Sequence, residues 1–416
     1  MSSDAPPEVM GLNPFEPGFF DDPYAQYAAV RETNPIHRSP LGPWLITRWA
    51  DVHTLLRTPG TSVEERNITN VDAPSRAERL AEVRMAGGPM PERSLAILNI
   101  DPPDHTRIRR LVSKAFTPRA VELIRARAGE LVDGILDDLA ERGGEPVDLI
   151  AELAFPLPFN VINEMLGMPG GADALHLRDL SHTITQALDP ILIMQNGPAI
   201  VAAATEMRGI IREAIDWKRS REDDDLMMAM IRAEDQGDVL SDAELVENVM
   251  LLFLAGHETT VNLIGNGANA LIGHRDQLAA LAADPTLDAN ATEELLRWDS
   301  PVQFSRRIML EPVEMHGNRF EVGDLVMTCL GAANRDPAKF GPDADELRLD
   351  RADAREHVSF GSGVHHCLGA ALARLEGQEA IGRLVRRFPN IDHSGAPTHN
   401  GRIVLRGYDE LPVTLS

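Results

Sequence analysis

Phe360-Gly361-Ser362-Gly363-Val364-His365-His366-Cys367-Leu368-Gly369 sets one cysteine in a glycine-rich loop, directly before the helix-like run Cys367-Leu-Gly-Ala-Ala-Leu-Ala-Arg-Leu-Glu. Glycines supply the backbone angles that a tight loop needs and let the chain approach a large flat object closely. The N–H groups at a helix start favour a thiolate, because the helix dipole is positive there. His365 adds a candidate cation. Such a loop suits a thiolate ligand; the plain alternative is a buried cysteine at a strand-to-helix turn.

The rest of the composition narrows the setting. The chain has 416 residues, 43% of them hydrophobic and 25% charged, enough apolar material for a substantial core. Its net charge of −24 argues against nucleic-acid partners and against docking on anionic lipid. Cys329 and Cys367 are the only cysteines, so a disulfide framework is excluded and no C-x-x-C pair exists. The N-terminus lacks a cationic segment followed by an apolar run. The longest clearly apolar stretch, Val249 to Ala255, falls far short of the roughly 20 residues that span a bilayer. A soluble, cytoplasmic protein is expected.

No internal repeat is visible. Residues 1–20 read as a surface arm, Met85 to Pro91 as a loop, and Trp44 to Thr47 as a short strand. Most of 102–300 reads as helix; Ile200, Ala204, Met207, Ile211 and Ile215, for example, recur at helical spacing. After residue 300 the period shortens. Val302 to Arg306 reads as a strand, Val313 to Val322 as a hairpin turning at His316-Gly317-Asn318, and Leu325 to Leu330 as a further strand. A proline-containing meander, Asp336 to Pro342, leads back to the cysteine loop.

Ser241-Asp-Ala-Glu244 is a capping box. The helix it opens runs to about Ile272, and some 30 residues would span about 45 Å. Its middle, Ala255-Gly256-His257-Glu258-Thr259-Thr260, puts a glycine, an acid and two hydroxyls after the apolar Leu251 to Leu254. A buried carboxylate is costly unless paired or wetted, and a mid-helix glycine costs about 1 kcal/mol against alanine. Chemistry explains that cost; a threonine bonded back to a carbonyl at a helix kink is the structural alternative. His257-Glu258 also begins the zinc motif H-E-x-x-H, but its fifth position is Val261, which removes the zinc reading.

The decapeptide fits F-G-x-G-x-H-x-C-x-G at six fixed positions, and with Ala255-Gly256-x-Glu258-Thr259 the chain resembles the cytochrome P-450 family, the haem-thiolate monooxygenases. The resemblance covers nearly the whole chain from about Asn13. It implies one domain over 1–416, mainly α with a small β-rich lobe at about 300–416, and a soluble form of bacterial type. Cys367 would be the axial ligand of iron in haem b (iron protoporphyrin IX), with Phe360, Gly361, Gly369 and Ala255 beside the macrocycle. Ala255 and Gly256 would leave room for O2 and substrate, Thr259 would hydrogen-bond the oxygen being reduced, and Glu258 would relay protons. Glu294-Leu-Leu-Arg297 places its pair three apart on one helical face, and in the family such a pair joins a later arginine, for which Arg351 is the candidate.

Haem propionates need cations. Asp101-Pro102-Pro103-Asp104-His105 reads as a helix start with Asp101 as cap, and His105 and Arg109 share a face four residues apart. The resemblance makes these two, with Arg307 and His365, the propionate ligands; His357 is a weaker neighbour. Arg110, Lys114 and Arg374 form a candidate basic patch for an acidic ferredoxin. The implied reaction is reductive O2 activation with electrons from NAD(P)H through a ferredoxin and its reductase, inserting oxygen into a lipophilic steroid, terpenoid, fatty acid or macrolide. No flavin or nicotinamide fingerprint appears, so separate redox partners are inferred. Pocket positions implied by matching are Leu95 to Leu98, Leu251, Ala255, Val302 to Phe304, Ile403 and Val404. Rival readings are a peroxide-using haem-thiolate enzyme, a haem gas sensor and a helical binding protein without haem.

Overall fold

A computed structural model describes residues 12–39, 42–70, 95–113, 116, 118–169, 173–235 and 237–416. Residues 1–11 of the expected arm, the Met85 to Pro91 loop and Lys114 lie outside them. The helices that frame the site are α1 (Trp49–Arg57), α2 (Asp104–Ser113), α3 (Pro156–Leu166), α4 (Ala174–Thr185), α5 (Leu192–Arg219), α6 (Asp242–Gly273), α7 (Asp288–Trp298) and α8 (Ala370–Arg387).

The long helix α6 organises the rest. Ser241 Oγ accepts from the Glu244 N–H while the Glu244 carboxylate accepts from the Ser241 N–H at 2.8 Å, so two orphan donors of the first turn are satisfied reciprocally. Most of the helix is buried, with α3, α5 and α8 packed on it. Glycines permit the close packing: a Cβ at Gly256 would come 2.9 Å from Ile162 Cδ1 of α3, and one at Gly267 would come 2.7 Å from Ile381 Cδ1 of α8. In α5 the stripe Ile200, Ala204, Met207, Ile211, Ile215 is buried as its spacing predicts. Each large side chain on it contributes roughly 1.5–3 kcal/mol.

The strands β1 (Ile36–Arg38), β2 (Trp44–Ile46), β3 (Thr61–Ser62), β4 (Phe304–Met309) and β7 (Leu325–Cys329) form one sheet in the order β1-β2-β7-β4-β3. Within this sheet of described residues, β2 and β7 pair in parallel and the other neighbours antiparallel. The hairpin β5 (Val313–Met315) and β6 (Asn318–Phe320) turns at His316 and Gly317, both with positive φ (49° and 79°), as a two-residue turn that suits strand twist requires. A last pair, β8 (Thr398–His399) and β9 (Tyr408–Glu410), brackets the loop 400–407.

Two sequence expectations shift. The strand expected at Val302 to Arg306 begins at Phe304, because Val302 makes only an isolated bridge to Leu405 and Gln303 turns its N–H to the Val404 carbonyl at 2.8 Å. Asp101 does not cap α2. Its carboxylate accepts from Ser62 Oγ at 2.5 Å and from the Val63 N–H at 2.9 Å, tying the chain before α2 to β3.

Candidate active site

The cysteine loop is closed by the Cys367 N–H donating to the Phe360 carbonyl at 2.9 Å, with the His366 N–H on the Gly363 carbonyl at 3.1 Å. Gly361 and Gly363 sit at φ 66° and 71°, a region that L side chains enter only with strain. A Cβ at Gly363 would also stand 2.5 Å from the Leu56 carbonyl oxygen of α1. Cys367 is solvent-exposed yet closely surrounded by protein, the combination expected of a cleft floor. Burial raises its thiol pKa, while the Gly369 N–H and the guanidinia of Arg109 and Arg374 work in the opposite direction.

A buried ion-pair frame reaches this loop through Glu293 and Arg374. Arg297 holds Glu294 bidentately, Nε to Oε2 at 2.6 Å and Nη2 to Oε1 at 2.8 Å, and both side chains are fully buried. Arg351 Nε donates to the same Glu294 Oε1 at 3.2 Å. Other guanidinium protons go to the carbonyls of Asn334, Phe340, Asp343, Ala344 and Glu346, so buried charge is met by hydrogen bonds from the segment 334–346. Glu293, one residue earlier, accepts from His357 Nε2 at 3.0 Å and Arg374 Nε at 2.7 Å. Arg374 in turn lies over the Phe360 ring, 4.6 Å from its centroid. His357 is therefore committed to Glu293.

His105, Arg109, Arg307 and His365 come together from α2, β4 and the cysteine loop. The rings of His105 and His365 lie 4.3 Å apart. His105 is buried, and among the described residues neither of its ring nitrogens has a hydrogen-bond partner. Arg307 is buried at the sheet position opposite Val326 and donates to the carbonyls of Arg306 (2.7 Å) and Leu56 (3.4 Å). Among the described residues it meets no carboxylate at ion-pair distance. Burial lowers its pKa to about 10. Burial, then the neighbouring His105, Arg307 and Arg109, hold the His365 imidazole down at about 3. Orphaned buried nitrogens and two arginines that, among the described residues, meet no carboxylate fit a dianionic group, and open space around the Cβ direction of Gly369 fits a broad one. Haem, with two propionates and a thiolate-ligated iron, meets those requirements.

The centre of α6 carries the acid and the alcohol. Ala255 is exposed although it lies mid-helix. The Thr259 hydroxyl donates to the Ala255 carbonyl at 2.9 Å, the back-bond weighed as an alternative, which leaves its lone pairs to accept. Gly256 faces Ile162 and so serves helix packing, where room for O2 was expected. Glu258 Oε1 accepts from Arg402 Nη1 at 2.9 Å. His257 points away into a box of Phe155, Phe159 and Phe253, its Nδ1 2.7 Å from the Phe253 carbonyl.

Two buried ionisable side chains, Glu376 and Arg402, lie outside the motifs of the sequence. Glu376 of α8 lies beside Thr260, but among the described residues neither carboxyl oxygen forms a good hydrogen bond, and burial raises its pKa to about 8. Its signal was the row Leu372, Glu376, Ala380, an acid on an apolar i, i+4 stripe. Arg402 carries no comparable local signal.

The expected pocket positions divide. Leu98 is exposed, and Leu95, Leu251 and Val302 are partly so. Phe304, Ile403 and Val404 are instead buried in an apolar cluster with Leu12, Phe19 and Tyr27. Three positions apart along β4, Phe304 and Arg307 point to opposite faces, so one strand cannot turn both toward the same group. Of the basic patch, Arg110 is exposed and Arg374 is engaged by Glu293. No helix of the described residues is long and apolar enough to cross a membrane.

The family model "Cytochrome P450" matches residues 66–284 and 268–400. Cytochrome P450 107B1 of Saccharopolyspora erythraea is 41% identical over 414 residues, 98% of either chain. Vitamin D(3) 25-hydroxylase of Pseudonocardia autotrophica is 40% identical over 96% of either chain. The solved structure of the Bacillus subtilis bacillaene polyketide synthase cytochrome P450 PksS superposes with a TM-score of 0.84 at 34% identity, covering 97% of this chain and 99% of that one.

Proposed function

The chain belongs to the cytochrome P450 family and is a haem-thiolate monooxygenase; from that premise we propose that it oxygenates a lipophilic small molecule in the cytoplasm, drawing electrons from NAD(P)H through a ferredoxin and its reductase. Haem b would be held by the Cys367 thiolate and by His105, Arg109, Arg307 and His365 at the propionates. When bound, thiolate-ligated haem supplies the reductive cleavage of O2 and the insertion of one oxygen atom into the substrate.

The protein's own share follows from its side chains. The ion-pair frame reaches the cysteine loop through Glu293 and Arg374. Arg109, through its donation to the His366 carbonyl at 2.6 Å, links α2 to that loop. Thr259 presents lone pairs at the exposed face of α6, and Glu258 carries protons toward it. The resemblance places Leu95, Leu98, Leu251 and Val302, each at least partly exposed, at the substrate pocket, and their apolar character favours a lipophilic substrate. The two relatives named for vitamin D(3) and for a polyketide synthase act in that chemical range. Val364, 56% exposed, stands with Arg57, Gly363 and His366 around a shallow recess behind the cysteine, an apolar and basic face suited to an acidic ferredoxin.

The observation that carries the reading is a solvent-exposed cysteine beside Arg109, Arg307, His105 and His365, which among the described residues pair with no carboxylate. Dithionite-reduced, haem-loaded protein under CO should show the strongly red-shifted Soret band of thiolate ligation, and Cys367→Ser should lose it. A histidine-type spectrum in the parent would remove the assignment.

A further inference from the structure

The arginine that meets Glu258 is not on α6 or beside it in sequence. Arg402 comes from the β8–β9 loop, and its side chain is 2% exposed. Its Nη1 is shared: one bond goes to Glu258 Oε1 at 2.9 Å and one to Thr185 Oγ1 at 2.8 Å. Its Nη2 donates to the His182 carbonyl at 2.9 Å. Both of those acceptors lie in the last turn of α4. The same loop is pinned a second time, where the Ile403 N–H donates to Asp189 Oδ2 at 2.7 Å, and Asp189 is itself buried between α4 and α5.

A guanidinium facing a lone carboxylate prefers the two-point fork, with parallel N–H bonds to both oxygens. Here the fork is not closed. The donor that would complete it is turned to a main-chain carbonyl of α4, and Thr185 takes the second proton of Nη1. The contact with Glu258 is therefore single, at Oε1. The ring nitrogen His182 Nδ1 is 4.0 Å from the same oxygen. A carboxylate clamped at both oxygens cannot pick up and release a proton without breaking two charge-assisted bonds; one held at a single point can turn on that bond.

We propose that Arg402 is the positioning residue for Glu258, and that Thr185 and the His182 carbonyl keep it from clamping the acid. The placement of the proton-carrying carboxylate is thereby conditional on the end of α4. This inference rests on the reading of Glu258 as the proton carrier.

The test uses full-length, haem-loaded protein with a surrogate [2Fe–2S] ferredoxin and its reductase, and no added organic substrate. NAD(P)H oxidation in H2O and D2O gives the solvent isotope effect; hydrogen–deuterium exchange reports on segments 182–192 and 400–407. Thr185→Val keeps the shape of the side chain and removes one of the two acceptors that hold the guanidinium back, so that it can turn further onto Glu258; the isotope effect should rise about twofold or more as proton delivery slows. Thr185→Ser, which restores the hydroxyl, should return it to the parent value, an outcome that lost packing would not produce. Glu258→Ala should speed exchange in 182–192, although residue 258 lies on another helix. An unchanged isotope effect in Thr185→Val, or unchanged exchange of 182–192 in Glu258→Ala, overturns the inference. Should Glu258→Gln leave the isotope effect at the parent value, the proton-carrier reading falls and takes this inference with it. A Glu258→Gln effect without a Thr185→Val effect refutes the role of Arg402 alone.

Discussion

Replacing Glu376 with glutamine should stabilise this protein, and increasingly so as the pH rises. The folded protein holds the carboxyl at about 8, against 4.5 for an exposed glutamate, because it is buried without a compensating charge. The folded-state pKa is the raised one, so Glu376 contributes fully below pH 4.5 and loses that contribution as the pH climbs through about 8. At about 1.4 kcal/mol per unit, the 2.5 units between 4.5 and pH 7 amount to about 3 kcal/mol, and the full 3.5 units (8 − 4.5) to about 5 kcal/mol. An amide cannot ionise, so Glu376→Gln escapes this loss. Guanidinium denaturation of haem-loaded parent and variant, followed by circular dichroism across that pH range, gives the comparison. The two should be nearly equal at the acid end and diverge toward the alkaline end, with the variant ahead. A difference that stays flat with pH, or a variant that trails throughout, would show that Glu376 is not a neutral buried acid and would refute the reasoning.

Glu294→Ala leaves Arg297 and Arg351 buried without their carboxylate and should cost about 3–5 kcal/mol, read as a lowered denaturation midpoint; a cost under about 1 kcal/mol would contradict the frame described above. Gly363→Ala faces both a left-handed backbone and the Leu56 carbonyl; it should lose at least about 1–2 kcal/mol and fail to retain haem on gel filtration, whereas Gly134→Ala, with nothing near its Cβ direction, should be tolerated. Thr259→Ala should leave ligand-induced spectral shifts intact while a larger share of NAD(P)H electrons ends in hydrogen peroxide. Unchanged coupling of NAD(P)H use to product would exclude Thr259 from proton delivery.

What was legible in the sequence depended on short, fixed spacings. The capping box at Ser241 and Glu244, the turn at His316-Gly317 and the stripe from Ile200 to Ile215 are each set by residues within a few positions of one another, so the chain states them locally. The proximity of Glu294 and Arg297 has the same origin; that Arg351 reaches them depends on the meander folding back. The misplacements were all tertiary. Asp101 had a plausible cap position but a better use at Ser62 and Val63. Phe304 was read without the strand's phase, which Arg307 fixes. Arg402 meets Glu258 only because the β8–β9 loop comes back over α6 from 144 positions away, and no pattern within the loop announces it.

The near-contact between Gly363 and the Leu56 carbonyl has a mechanical consequence. Main chain rests against main chain there, with no deformable side chain in between. A force applied to the C-terminal end of Trp49–Arg57 is therefore transmitted as through a rigid strut to the loop that carries the sulfur. Whatever leans on that outer surface pushes on the backbone that carries Cys367, while a cushioned contact would absorb the same push.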